Sequence, residues 1–393
     1  MTSQLLSQSG WLPRLLGSRV NRGELALTLP SGNTVRLAGR AGGRCAAMDV
    51  RRWRALPRML ARGSVGFAEG YVNGDWDTPS LPELLDFFAE NLQSLGRLVS
   101  GAAPLRYFDR FAHAGRRNSR AGSERNIAYH YDLGNRFYQQ WLDPTMSYSA
   151  GVFAEGDNLR AAQQRKLQRL TDMAGVEAGQ TVLEIGCGWG GLLEHLANLD
   201  VRAKGVSVSA EQVAYATERL ADREGVEAMF QDYRDVDGSY DRILSVEMFE
   251  AVGEQYWDTF AGRIARLLAR DGIAALQVIT IDESAFSAYR ARPDFIQQYV
   301  FPGGMLPTVT HLRELFARHG LEVTDLYRFG QDYATTLKLW RERFIANWQS
   351  IRTDGFDERF YRLWEYYLAY CEAGFRVGRT DVVQIRLERS AAV

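Results

Sequence analysis

The residues Gly186-Cys187-Gly188-Trp189-Gly190-Gly191 form a glycine-rich turn directly after the strand-like Val182-Leu183-Glu184-Ile185 and ahead of a helical pattern beginning near Leu192. Such a turn puts backbone N–H groups and a helix N-terminus at the carboxyl end of a strand, where a ligand approaches without meeting a Cβ. The spacing is not the G-x-G-x-x-G of dinucleotide sites, and no lysine follows to make a phosphate loop. The next strand pattern ends in Ser207-Val208-Ser209, with Gln212 shortly after. Nucleoside sites commonly place an acid there to take both ribose hydroxyls. Here the Ser207 hydroxyl, the backbone at Val208 and Gln212 must share that work. The third strand ends in Gln231-Asp232-Tyr233, where Asp232 could hold an adenine amino group with Tyr233 beside the ring. The plainer alternatives are a helix cap at Ser209 and a surface carboxylate at Asp232. Glu250 ends an apolar segment where an unpaired carboxylate is costly, so it either pairs with an arginine or orients a proton acceptor.

A doubly wound α/β sheet would gather these strand ends on one edge. The pattern predicts strands at 181–185, 202–207, 227–231, 241–246 and 272–279, alternating with helices at 191–198, 210–223 and 256–269. A helix from His311 to His319 and a strand from Leu321 to Arg328 then complete the sheet. The segment Thr335–Phe375 reads as helical, and Asp157 or Asn158 caps a helix leading into the glycine turn. Upstream, Leu25-x-Leu27-x-Leu29 and Pro30-Ser31-Gly32-Asn33 predict a β-hairpin, with helices over Val50–Leu60 and Pro82–Leu98. The predicted organisation is a small N-terminal α+β domain over 1–100, a linker over 101–122 and a catalytic domain over 123–393.

Composition narrows the classes. The three cysteines are scattered, which suits a reducing compartment, and neither they nor the five histidines cluster as metal ligands. No stretch approaches 18 continuous apolar residues, so a peripheral or soluble protein is expected. Residues 1–120 carry 17 arginines against 9 acidic residues, a surplus of +8 in a chain whose net charge is −1. Paired guanidinium donors suit phosphate oxygens, of lipid or nucleic acid, although a solvated surface explains the surplus equally. No nucleic-acid-binding motif accompanies it. The short amphipathic stretch Trp11-Leu12-Pro13-Arg14-Leu15-Leu16 either rests on a membrane interface through Trp11 and Leu12 or packs on its own domain.

The glycine turn resembles that of S-adenosylmethionine (SAM) dependent methyltransferases of class I. Longer motifs are similar to the cyclopropane-fatty-acyl-phospholipid synthase family. They are Tyr129-His130-Tyr131-Asp132-Leu133-Gly134-Asn135, Trp141-Leu142-Asp143-Pro144, Tyr148-Ser149, Phe249-Glu250-x-Val252-Gly253, Phe301-Pro302-Gly303-Gly304 and Tyr333-x-x-Thr336-Leu337-x-x-Trp340. Gly66-Phe67-x-Glu69 extends the similarity into the small domain. The resemblance implies transfer of a methyl group from SAM to the double bond of an unsaturated phospholipid acyl chain, giving a cyclopropane. It implies a donor site of Tyr148, Ser149, Glu184, Gly186, Gly188, Gly190, Ser207, Val208, Gln212, Asp232 and Tyr233. It also implies a bound bicarbonate, caged by Glu250, Gln277, Ile279, Tyr333 and the backbone of Ala150, that takes the proton lost on ring closure. Homodimerisation and a cytoplasmic location on the inner face of the membrane are further expectations.

An alkene is a weak nucleophile, so the chemistry demands a dry pocket and in-line placement. Tyr131, Phe137, Tyr299 and Phe301 are candidates to stabilise the resulting carbocation through their ring faces, or are simply core. Cys371 is either a thiolate base or a buried, inert thiol. Two departures from the family pattern stand out: Ala150 where a cysteine is common, and Gln277 where a histidine is common. Glutamine donates a hydrogen bond to an anion but is no base. The alternatives are therefore a methyl-branched or methylene product, a methyltransferase acting on a small soluble acceptor, and a lipid-binding protein that has lost turnover.

Overall fold

Both faces of a central sheet must be covered for its strands to be continuously apolar, and Val182, Leu183 and Ile185 of β5 (Thr181–Ile185) are fully buried. A computed structural model describes residues 19–95 and 133–390. Its main sheet has seven strands in the order β10-β11-β9-β8-β5-β6-β7. The others are β6 (Arg202–Ser207), β7 (Val226–Phe230), β8 (Tyr240–Val246), β9 (Leu268–Ile281), β10 (Leu321–Arg328) and β11 (Thr380–Arg389). β7, β6, β5, β8 and β9 run parallel, so the expected doubly wound sheet is present and its strand carboxyl ends share one edge.

One expectation is corrected. The strand Leu321–Arg328 does not close the sheet on β9; β11 lies between them, antiparallel to both. Val382, Val383, Ile385 and Leu387 of β11 are fully buried, but the interleaved Gln384, Arg386 and Glu388 break the apolar pattern. Gln384 is buried all the same because its amide donates to Lys166 O at 3.3 Å and to Gln277 Oε1 at 3.1 Å.

In the small domain the hairpin forms as predicted, from β1 (Arg22–Thr28) and β2 (Thr34–Ala38). The predicted helix at Val50–Leu60 is displaced, because β3 (Ala41–Val50) runs through Val50 and a helix spans Ala55–Val72. Gly63 interrupts that helix with φ +58°. Its N-terminal end is tied down by Asp75, which is fully buried and faces Arg52, Arg54 and Arg58. Much of the arginine surplus is thus neutralised within the domain, with Arg51 on Asp77 and Arg44 on Asp86 and Glu90. The predicted linker and residues 129–132 lie outside the described residues.

The helix Glu358–Arg376 joins the two parts. Tyr71 donates to Glu365 at 2.7 Å, Arg362 pairs with Asp77 at 3.0 Å, and Arg376 pairs with Asp86. On its other side Trp364 meets Phe137 and Trp141. Phe137, Tyr138 and Trp141 are therefore core residues.

If β11 is an integral strand, Ile385→Ala should destabilise the protein by roughly 2–4 kcal/mol, the usual cost of an aliphatic core truncation. A denaturant midpoint shift equivalent to less than about 1 kcal/mol would contradict that placement.

Candidate active site

The glycine turn is strained in the way its sequence requires. Gly186, Gly188 and Gly190 have φ of +87°, +50° and +82°. A Cβ on Gly186 would lie 2.8 Å from Met248 Cγ. The Gly186 and Cys187 N–H groups both donate to Val206 O, tying the turn to β6. Beside the turn lies a cavity of ≈ 180 Å³ whose wall includes the predicted Tyr148, Ser149, Glu184, Gly186, Gly188, Ser207, Val208, Gln212, Asp232 and Tyr233. Gly190 is the exception. It precedes the helix Gly191–Leu196 and packs against Ala216, so it shapes the helix entry and not the cavity.

Within the wall the polar groups are partly committed. Ser207 Oγ donates to Gln212 Oε1 at 3.2 Å, and Ser209 caps the helix Ala210–Arg219. Asp232 carries a fork from Arg234, with Nε at 2.9 Å. Glu184 is different: it is buried, and among the described residues its Oε2 has no hydrogen-bond partner. Burial pushes its carboxyl up to about 8, and burial likewise lowers Lys166 to about 8. Lys166 donates to Ser149 Oγ at 2.7 Å and closes the cavity behind Ser149. A carboxyl with an uncommitted oxygen beside the glycine turn fits the ammonium of an amino-acid-bearing nucleoside, whose positive charge favours the ionised form on binding.

The expected anion cage is present, but it is filled from within the chain. Glu247, just after β8, receives three hydrogen bonds. Ala150 N–H donates to Oε1 at 2.8 Å, Gln277 Nε2 to Oε1 at 2.7 Å, and Tyr333 O–H to Oε2 at 2.6 Å. These are the donors predicted to hold bicarbonate. With all three directed at a side-chain carboxylate, the site as built does not fit that ion. Sequence reading missed Glu247, although its pairing with Glu250, three residues on at a strand's carboxyl end, was a visible signal.

Among the described residues Glu250 pairs with no arginine. Its Oε1 accepts from Ile279 N–H, and its Oε2 has no partner among them. Burial, then the charge of Glu247, pushes its carboxyl up to about 8. Burial also raises Glu247, but the hydrogen bonds from Tyr333, Ala150 and Gln277 oppose it. The pair therefore carries its charge on Glu247 and its proton on Glu250. Gln277 is buried behind the cage, its orientation set by Gln384, and acts on Glu247 rather than on a substrate.

A second cavity, of ≈ 1390 Å³, extends from Glu247, Glu250, Ile279 and Tyr333 into the small domain, where Leu25, Leu27, Leu37, Met48 and Phe87 line it. Tyr148, Glu247 and Ala251 belong to both cavities. Of the aromatic candidates only Phe301 lines the large cavity. Phe137 is in the core, Tyr299 donates to Glu69, and Tyr131 lies outside the described residues. Cys371 is in the cavity wall, and burial pushes its thiol well up, which favours the inert thiol of the two alternatives.

The sheet order, the glycine turn and the donor cavity define a class I SAM-dependent methyltransferase. A family model described as "Mycolic acid cyclopropane synthetase" matches residues 118–385, and the chain belongs to that family of SAM-dependent lipid-modifying methyltransferases. It is 40% identical over 365 residues to tuberculostearic acid methyltransferase UfaA1 of Mycobacterium tuberculosis, covering 89% of this chain and 85% of that protein. It is 37% identical to the cyclopropane-fatty-acyl-phospholipid synthase of Escherichia coli, covering 84% of this chain and 85% of that one. The structure matches mycolic acid cyclopropane synthase CmaA1 complexed with SAH and CTAB, with a TM-score of 0.64 and 29% identity over 68% of this chain and 98% of that one. The chain is accordingly an enzyme, and the reading as a binding protein without turnover falls away.

Two outcomes check this site. Glu184→Gln should weaken SAM binding about tenfold or more in calorimetry, since a charge-assisted hydrogen bond becomes a neutral one; unchanged affinity would remove Glu184 from the donor site. The folded-state pKa of Glu250 is raised to about 8. Its contribution to stability is then fully present below its unfolded value and is lost as pH rises through about 8. Glu250→Gln should flatten the fall in denaturant midpoint over that window, and an identical slope in both proteins would contradict the assignment.

Proposed function

We propose that the enzyme transfers a one-carbon unit from SAM to the double bond of an unsaturated acyl chain in a membrane phospholipid. The supporting observation is the junction of the two cavities at Tyr148, Glu247 and Ala251. One side has a turn and a carboxylate suited to SAM; the other is a long apolar space walled by the small domain. SAM, when bound, supplies an electrophilic methyl group on a sulfonium. The chain's own residues do the rest. Gly186, Gly188 and Glu184 hold the donor, and Tyr148 stands between donor and acceptor. The large cavity keeps water from the alkene, and Phe301 offers a ring to the cation.

The small domain has a second role, presenting the cavity to the membrane. Trp53 is 55% and Leu60 43% exposed, and these apolar side chains are what this face offers a membrane, because the flanking Arg51, Arg52 and Arg54 are paired with Asp77 and Asp75. Among the described residues no helix is long and apolar enough to cross a membrane. The exposed Trp53 and Leu60 support peripheral contact with the inner face of the cytoplasmic membrane.

The product of this reading is a cyclopropane chain. A methylene-branched chain, or a methyl-branched chain that keeps a double bond, is the second reading, favoured by the occupation of the anion cage by Glu247. Purified enzyme, SAM and vesicles of a defined monounsaturated phospholipid should yield an acyl chain heavier by one CH₂ in mass spectrometry, with proton NMR separating ring from methylene. Activity on dispersed small amines but not on vesicles would overturn the acceptor assignment.

A further inference from the structure

Glu247 is held in a backbone conformation that side-chain-bearing residues seldom adopt, with φ +50°. That conformation delivers its carboxylate to a point where donors from three separate segments converge: Ala150 from the loop after Tyr148, Gln277 from β9, and Tyr333 from the helix Gly330–Ala346. The arrangement is fixed from behind. Gln384 Nε2 donates to Gln277 Oε1 at 3.1 Å, which leaves the Gln277 NH₂ facing Glu247. Oε1 of Glu247 is bonded twice, whereas the single bond from Tyr333 leaves a lone pair on Oε2. The residue also lines both cavities, so the carboxylate stands where donor methyl and acyl alkene meet.

The geometry points to Glu247 as the proton acceptor of the reaction, a base built into the chain in place of an exchangeable anion. This inference rests on the acyl-alkene reading above. In the step concerned, a C–C bond forms between the methyl carbon and one alkene carbon as the methyl–sulfur bond breaks, leaving the neutral thioether and a cation on the acyl chain. A C–H bond of that cation then breaks. Its electron pair closes a ring or a new C=C bond, and its proton goes to Oε2 of Glu247. The neutral neighbour Glu250 leaves this oxygen the anionic one of the pair. Gln277, Ala150 and Tyr333 are positioning groups: they keep the carboxylate aimed and ionised without touching the substrate proton.

Glu247→Gln keeps the size of the side chain and an oxygen for Ala150 and Gln277, but it removes the base. Methyl transfer to monounsaturated phospholipid vesicles should then fall by about a hundredfold or more, the scale of a lost general base, with calorimetric SAM affinity within about threefold of wild type. Wild-type turnover should be the same in carbonate-depleted buffer and in added bicarbonate. Glu247→Gly, which vacates the three donors, should lose turnover in depleted buffer and regain part of it with bicarbonate or formate. Turnover of Glu247→Gln above about a third of wild type, or a wild-type requirement for bicarbonate, would overturn the inference. A wild-type enzyme that binds SAM yet modifies no vesicle lipid would instead overturn the acyl-alkene reading.

Discussion

A carboxylate removed from water costs several kcal/mol unless donors surround it, and this requirement at Glu247 organises the catalytic centre. The donors lie at positions 150, 277 and 333, on a loop, a central strand and a late helix. None can move without exposing the charge, so the carboxylate fixes three segments that sequence separates by nearly two hundred residues. Gln384 on β11 adds a second layer by orienting Gln277. The strand absent from the predicted sheet is therefore part of the catalytic apparatus as well as of the core.

The small domain answers a different need. The proposed acyl acceptor needs a dry space next to the donor, and the Rossmann-like sheet provides only the donor half. The β1–β3 sheet and the helix Ala55–Val72 supply the other wall, and the helix Glu358–Arg376 holds that wall against the active site through Tyr71–Glu365, Arg362–Asp77 and Arg376–Asp86. The buried ion pairs concentrate where the two parts must keep a constant distance.

The legible parts of the molecule were those with local periodicity. β5 to β10 and the glycine turn could be placed because alternation and turn chemistry are written in consecutive residues. β11 was not legible because Gln384, Arg386 and Glu388 look like a solvated face until their partners across the sheet are known. The helix start at Ala55 was obscured because Asp75, twenty residues downstream, is what anchors it. The donor site was largely readable from strand ends, apart from Gly190, whose side of the turn faces a helix. For Glu247 the sequence holds one local cue, its spacing to Glu250 at a strand's carboxyl end, but the three donors that give it a role are distant in sequence, as with β11.

Ala150 and Gln277, the two departures from the family pattern, fit together once Glu247 is in place. Ala150 contributes only its backbone N–H, so the side chain at that position is immaterial. A neutral amide at 277 donates to a carboxylate without competing for its proton, which a more basic group there would do. The same three donors lower the basicity of Glu247 relative to a bare carboxylate in that pocket. In the proposed reaction, slower proton removal lengthens the life of the acyl cation, and a hydride can then migrate from the methyl-bearing carbon to the cationic one before the proton leaves. Migration first gives the tertiary cation and so the methylene-branched chain; proton loss first gives the ring. The choice between the two products is thus a competition in rate, set by how tightly Ala150, Gln277 and Tyr333 hold one carboxylate.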